Sequence, residues 1–257
     1  MNAPVLPGAD AWSHDGTLGT GVLTIHGFTG NPSSMRGMAE ALAGAGFHIE
    51  LPRLPGHGTA IDDMIPTRWG DWTAEVESAY QRLAARTDTV VVAGLSMGGS
   101  LALWTGLQHP EVVGLVCVNP ATVPQPPEII AMFDEMIAGG DETSPGIGSD
   151  IADPDAVEIA YEGTPLRALR SLVVDGLAPM SERYGQLRMP LRLFTSHQDH
   201  VIEPAGSEYL AAHYGGAVEH TWLERSYHVA TQDYDRDLIF AETVEFATRV
   251  STQRSSR

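Results

Sequence analysis

Cysteine, basic residues and long apolar runs are all scarce in this chain of 257 residues. The one cysteine, Cys117, excludes a disulfide framework within the chain, and its apolar setting VVGLVCV is typical of a buried core residue rather than a reactive thiol. No stretch approaches the roughly 18 to 20 apolar residues of a membrane span. The N-terminal sequence MNAPVLPGADAWSHDG also lacks the basic and apolar regions of a signal peptide. The sequence therefore predicts a soluble, cytoplasmic protein.

The shortage of positive charge limits the partners of the protein. Acidic residues outnumber basic ones by 33 to 15, which gives a formal net charge of -18. Such a charge repels phosphate backbones and anionic lipid headgroups, so nucleic acid is not expected as a partner. With 43% hydrophobic and 19% charged residues the composition is that of an ordinary globular protein. A single domain over residues 1–257, with one insertion, is expected at this length.

Short apolar runs rich in β-branched residues alternate with segments of helical periodicity. The predicted strands are GVLTI, FHIEL, TVVVAG, VVGLVCV, LRLFTS and VEHTWL. The predicted helices are MRGMAEALAGAG, residues 68–86, SLALWTGLQ, SEYLAAHY and residues 237–250. This alternation indicates an α/β fold with a mostly parallel sheet that binds its ligand at the carboxyl ends of the strands. Between residues 124 and 179 it stops and no clear strand is expected, so we interpret these residues as a cap segment over the sheet.

The motif G-x-S-x-G stands between a predicted strand and a predicted helix, as Gly94-Leu95-Ser96-Met97-Gly98. A sharp turn at this place raises the serine oxygen above the sheet, and the glycines leave room for the crowded backbone. The N–H of Met97 then faces the oxyanion of an acyl-transfer intermediate. A glycine-rich turn with an incidental serine is the structural alternative, and the flanking strand and helix argue against it. Ser96 is therefore the predicted nucleophile.

A serine nucleophile needs a base, and the base needs an orienting carboxylate. In this fold the order along the chain is serine, carboxylate, histidine, each of the last two in a loop after a late strand. Asp199 follows LRLFTS and His228 follows HTWL, so both satisfy the order. The less favoured alternatives are two histidines that precede the serine, one that adjoins the carboxylate and two further carboxylates: His26, His57, His200, Glu203 and Asp233.

A second oxyanion donor is expected in the loop after the first predicted strand, where HGFTG stands. Gly27 allows the backbone to approach the site, and Phe28 would give its N–H to the oxyanion. A structural strand-end turn would explain the same glycines. A metal site formed by His197, Asp199, His200 and His228 is a weaker alternative, because no HExxH or comparable spacing supports it.

Together these motifs resemble the bacterial monoacylglycerol lipases and related carboxylesterases of the α/β-hydrolase superfamily. The likeness lies in HGFTG, LPGHG, GLSMGG, QDHVIEP, ERSYHVATQDYD and the cap sequence GIGSDIADPDAVEIAYEGTP, and it runs from about residue 22 to 247. It implies an α/β-hydrolase fold and hydrolysis of monoacylglycerols without a cofactor or metal. It also implies Ser96, Asp199 and His228 as the triad and the N–H groups of Phe28 and Met97 as the oxyanion hole.

The resemblance further implies two substrate contacts in the cap segment. A glutamate that helps to bind the glycerol head in the family is matched by Glu158, and an apolar residue that lines the tunnel is matched by Ile147. A solvated helix carboxylate is the alternative for Glu158. As a partner the resemblance implies a small ester substrate. An exposed apolar cap edge would suit either a second copy of the chain or transient contact with a lipid surface, so monomer and homodimer both stay open.

Other functions stay open at this point. A general carboxylesterase for short-chain esters would use the same residues with a different pocket. Acyl transfer, including perhydrolase chemistry, differs only in the second nucleophile. A non-catalytic ligand receptor is the alternative from another class, because fold alone does not fix function.

Overall fold

Nine strands lie in the part of the chain that the computed structural model describes, residues 3–146 and 148–254. In chain order they are β1 (Trp12–His14), β2 (Thr20–Ile25), β3 (His48–Leu51), β4 (Thr89–Leu95), β5 (Gly114–Val118), β6 (Thr143–Pro145), β7 (Gly163–Pro165), β8 (Leu191–Ser196) and β9 (Val218–Leu223). All except β6 and β7 join one sheet in the order β1-β3-β2-β4-β5-β8-β9. Neighbouring strands are parallel, apart from β1 against β3. The predicted fold class is confirmed.

Helices cover both faces of the sheet. They are α1 (Ser33–Gly44), α2 (Ile61–Met64), α3 (Trp69–Ala84), α4 (Met97–Gln108), α5 (Pro127–Gly139), α6 (Leu166–Ser171), α7 (Ala178–Ser181), α8 (Ala205–His213) and α9 (Arg236–Arg254). One apolar cluster packs α3 and α4 against one face of the sheet, and a second packs α1 and α9 against the other face. Within the described residues, no helix is both long and apolar enough to cross a bilayer.

The periodic patterns of the sequence explain this packing. Every residue of β2, β5 and β8 is buried, as expected for strands covered on both faces. One face of α3 is apolar and fully buried, through Trp72, Val76, Ala79 and Leu83. Cys117 is buried in β5, where burial raises the pKa of its thiol.

The predicted absence of strands between residues 124 and 179 is wrong. β6 pairs with β7 in an antiparallel ribbon, and α5 precedes it. Each of these strands has three residues and ends in proline, at Pro145 and Pro165, so neither carries enough alternation to indicate a strand. The edge strand β1 gives no signal for the same reason, since it too is only three residues long. α5 buries only Phe133, which leaves its helical pattern weak.

Candidate active site

Ser96 is the single residue that connects the end of β4 to the start of α4. Its φ of 56° is in the left-handed region, which a residue with a side chain adopts only at a cost. The flanking glycines are required by space: a Cβ at Gly94 would collide with the carbonyl of Gly98, and one at Gly98 with the carbonyl of Ile25. The backbone thus presents the Ser96 hydroxyl at the carboxyl edge of the parallel sheet.

Asp199 and His228 meet in the loops that follow β8 and β9. Asp199 Oδ2 lies 2.8 Å from His228 Nδ1, and the side chains are only 2% and 8% exposed. The other carboxylate oxygen of Asp199 accepts the N–H groups of Val201 and Ile202, each at 2.8 Å. A carboxylate held in this way accepts a hydrogen bond from Nδ1–H, so the Nε2 lone pair of His228 remains available as a base.

Ser96 and His228 line the same cavity, which has a volume of about 320 Å³. No hydrogen bond joins Ser96 Oγ to His228 in the described part of the chain; such contacts are often long without substrate and shorten when it binds. The walls of the cavity are mostly apolar. They include Phe28, Ala121, Ile129, Phe133, Leu172 and Ile202.

Two backbone N–H groups near Ser96 lack acceptors. The N–H groups of Phe28 and Met97 donate to no atom within residues 3–146 and 148–254. Gly27 brings the first of them close, since a Cβ on that residue would lie 3.3 Å from the Ser96 Cβ. Free N–H groups at the end of a strand and at the start of α4 are suited to an oxyanion.

His26, one of the less favoured alternatives for the base, fixes one of these donors. Its Nε2 accepts the N–H of Leu54 at 3.1 Å, which puts the ring proton on Nδ1. That Nδ1–H donates to the Gly27 carbonyl at 2.9 Å. Because the Gly27 carbonyl and the Phe28 N–H belong to one planar trans peptide and point in opposite directions, this bond sets the direction of the N–H.

His26 also packs edge to face against His57, which contacts Phe28 and Trp72 in the same way. Burial lowers the pKa of His57 to about 4 and that of His26 well below its usual value. Both imidazoles are therefore neutral in the folded protein near pH 7.

The substitution His57→Gln should make the free energy of unfolding depend less on pH on the acid side of neutrality. The unfolded chain protonates this histidine near pH 6.5 and the folded chain near pH 4, so between these values the unfolded state binds more protons and stability falls with falling pH. The full loss attributable to the group is about 3 kcal/mol. Denaturant unfolding of both proteins at several pH values would measure the slopes. Equal slopes in the two proteins would contradict the assignment.

The alternative histidines and carboxylates have other partners. His200 Nδ1 pairs with Asp150 at 2.8 Å. Asp233 is fully buried and accepts backbone N–H groups, and Glu203 is exposed. Among the described residues, no group of three or more His, Cys, Asp or Glu side chains is arranged to hold a metal ion.

Of the two predicted substrate contacts in the cap segment, Glu158 is among the described residues. Glu158 is largely buried on the cavity wall, near Gly30 of the HGFTG loop. Loss of hydration raises the pKa of its carboxyl group, the charge of Asp150 adds to the increase, and His228 opposes it. A solvated surface carboxylate would not be so buried. Ile147 lies outside the described residues.

Sequence reasoning missed two hydrogen bonds that hold the backbone of His228. Asn119, directly after β5, donates its side-chain N–H to the His228 carbonyl at 2.8 Å. Asp150 accepts the His228 N–H at 3.0 Å. The polar residue Asn119 at the end of a buried strand is a signal for the first, because such strand ends face the ligand site. No local signal indicates the second.

A sharp strand-to-helix turn at a serine on a parallel sheet, with a buried histidine and carboxylate in later loops, is the arrangement of the α/β-hydrolase class. The chain belongs to the alpha/beta hydrolase family, whose model matches residues 22–242. It is 40% identical over 247 residues to a thermostable monoacylglycerol lipase of Bacillus sp. strain H-257, covering 95% of this chain and 96% of that protein. The resemblance predicted from the motifs is therefore confirmed.

Further comparisons agree with this placement. A carboxylesterase of Bacillus subtilis is 25% identical over 231 residues, 89% of this chain and 92% of that protein. A solved structure from a study of the metagenome-derived lipolytic enzymes LipS and LipT is 37% identical, with a TM-score of 0.89 over 96% of this chain and 100% of that one.

Proposed function

We propose that this protein hydrolyses monoacylglycerols to glycerol and a free fatty acid through an acyl-enzyme on Ser96. The observation that carries the proposal is the buried pair of Asp199 and His228, 2.8 Å apart, whose histidine lines the same apolar cavity as Ser96. The relatives named above support carboxylic ester hydrolysis, and one of them is a monoacylglycerol lipase. A neutral monoacylglycerol is not repelled by a chain of net charge -18.

In the first half of the reaction, Ser96 Oγ attacks the ester carbonyl carbon while its proton passes to Nε2 of His228. The carbonyl oxygen becomes an oxyanion that accepts the N–H groups of Phe28 and Met97, each contributing about 3 kcal/mol. His228 then gives the proton to the glycerol oxygen as the carbon–oxygen bond breaks. Glycerol leaves, and the acyl group remains on Ser96.

In the second half, His228 takes a proton from water, and the hydroxyl oxygen attacks the acyl carbon. The same two N–H groups hold the second oxyanion. When it collapses, the proton returns to Ser96 Oγ and the fatty acid leaves. Asp199 stays ionised throughout and stabilises the imidazolium in both halves. Every step uses groups of this chain, the ester and water.

The substrate assignment is tested by the rates on mono-, di- and triacylglycerols that share one acyl chain. We expect monoacylglycerol to be hydrolysed faster by at least about tenfold, because di- and triacylglycerols carry one or two further acyl chains that must also be accommodated at the cavity of Ser96. The Ser96→Ala protein gives the background rate. Equal rates on all three lipids would overturn the monoacylglycerol assignment and favour a general carboxylesterase, the function named for the Bacillus subtilis relative.

We propose Glu158 as the residue that binds the glycerol head. It lies on the wall of the cavity that contains Ser96, and its half-buried carboxyl group has no hydrogen-bond partner among the described residues. A carboxyl group in that position can accept hydrogen bonds from the hydroxyl groups of glycerol. The acyl chain would then occupy the apolar part of the cavity.

The Glu158→Ala variant should raise KM for a monoacylglycerol by about tenfold and change kcat little, since it removes binding that is equal in the ground and transition states. For an ethyl ester with the same acyl chain, which has no glycerol hydroxyls, KM should stay the same. Glu162→Ala is the matched control, because Glu162 is exposed four residues further along. Parallel losses on both esters would contradict a role in binding the glycerol head.

A further inference from the structure

The carboxylate of Asp150 binds two loops at once. Its Oδ2 accepts the backbone N–H of His228 at 3.0 Å and that of His200 at 3.1 Å, while Oδ1 lies 2.8 Å from the His200 Nδ1. In return the N–H of Val229 donates to the Asp150 carbonyl at 3.1 Å. The Asp150 side chain is 11% exposed. A residue of the cap segment therefore joins the loop after β8 to the loop after β9.

These are the loops that carry the proposed carboxylate and base. His200 directly follows Asp199, so Asp150 fixes the backbone beside the carboxylate and the backbone of the base together. His228 is then held at three points, by Asp199 at its ring, by Asp150 at its N–H and by Asn119 at its carbonyl. These attachments restrict both the position of the imidazole and its rotation.

A second carboxylate also joins the cap segment to the loop after β9, but this one belongs to the loop. Asp233, in the histidine loop, accepts the N–H groups of Ala152 at 2.8 Å and Asp153 at 3.0 Å. It also accepts the N–H of Tyr227, the residue before the base, at 2.8 Å. Movement of residues 150–153 away from the base would break charge-assisted bonds in both directions.

We infer that Asp150 is a positioning residue for His228, through which the cap segment sets the place of the imidazole relative to Ser96. The inference rests on the proposed function, in which His228 is the base. A displacement of about 1 Å at a reacting group can cost on the order of 100-fold in rate. Loss of Asp150 therefore acts on the chemical step rather than on the binding of the ester.

The test compares Asp150→Ala with Asp150→Asn and with Asp153→Ala. We expect Asp150→Ala to lower kcat on the order of 50-fold with KM within about threefold of the parent value. Asp150→Asn should retain most of kcat, because its amide oxygen can still accept both N–H groups. Asp153→Ala removes a carboxylate from the same segment whose side chain accepts only the nearby Asp155 N–H among the described residues, and should match the parent protein.

A proton NMR measurement distinguishes a misplaced His228 from a nonspecific loss of folded structure. The low-field proton resonance of the His228 Nδ1–H should persist in Asp150→Asn and be shifted or lost in Asp150→Ala, since it reports the contact with Asp199. Asp150→Glu, which keeps the charge and moves the carboxylate by one methylene, should show the kcat loss even if the alanine variant does not fold.

Two outcomes would overturn the inference: a kcat within threefold of the parent in both Asp150→Ala and Asp150→Glu, or a rise of KM without a fall of kcat. Failure of the proposed function looks different. In that case the parent protein does not hydrolyse esters, or Ser96→Ala retains the activity, whatever the Asp150 variants do.

Discussion

Replacement of Ser96 by alanine should lower kcat for ester hydrolysis by about 10⁶-fold. The acyl-enzyme cannot form without the hydroxyl, and water has no other activated route to the carbonyl carbon. The fold should persist, because the turn is built by Gly94 and Gly98 and the Ser96 side chain makes no hydrogen bond within the described residues. Initial rates on a monoacylglycerol and a thermal unfolding curve measure the two expectations.

Ser100→Ala is the matched control for this substitution. Ser100 lies one turn further along α4, is buried, and donates its hydroxyl to the Ala121 carbonyl rather than facing the cavity. Its loss should cost about 1 kcal/mol of stability and leave kcat close to the parent value. Full activity of the Ser96→Ala protein would refute the assignment of the nucleophile.

The second large effect is expected from Asp199→Asn, which should lower kcat about 10⁴-fold. The N–H groups of Val201 and Ile202 both donate to Oδ1 of Asp199, so an asparagine must place its amide oxygen there. Its NH₂ group then faces Nδ1 of His228 and donates to it. The ring proton moves to Nε2, and His228 can no longer accept the proton of Ser96.

The loss of kcat in Asp199→Asn arises from the changed tautomer of His228, and the fold should stay unchanged. The variant should unfold at a temperature within a few degrees of the parent, and KM should change little. Glu203→Gln is the control, because Glu203 is an exposed carboxylate on the same loop. A kcat for Asp199→Asn within tenfold of the parent would show that another group orients the base.

The sequence predicts those parts of the molecule that local patterns encode. Strands buried on both faces read as continuous apolar runs, and the turn at Ser96 needs glycines that stand within two residues of it. Asp199 and His228 could be placed because each follows a late strand in chain order. For these residues position along the chain is sufficient.

Other parts depend on contacts between distant segments, which no local pattern shows. Asp150 lies 78 residues from His228, and nothing around it indicates that its carboxylate is buried. The bond from Leu54 to His26 likewise joins residues 28 apart. β6 and β7 pair across a loop of the cap segment with three residues each, which is too short for a strand period.

Reaction of the protein with a long-chain alkyl fluorophosphonate tests the central claim most directly, because it reports the activated serine without assuming a natural substrate. Mass spectrometry should find one equivalent of adduct, located on Ser96, formed more slowly in Asp199→Asn and absent from Ser96→Ala. A protein that hydrolyses monoacylglycerol but carries no adduct, or carries it on another residue, would contradict the account.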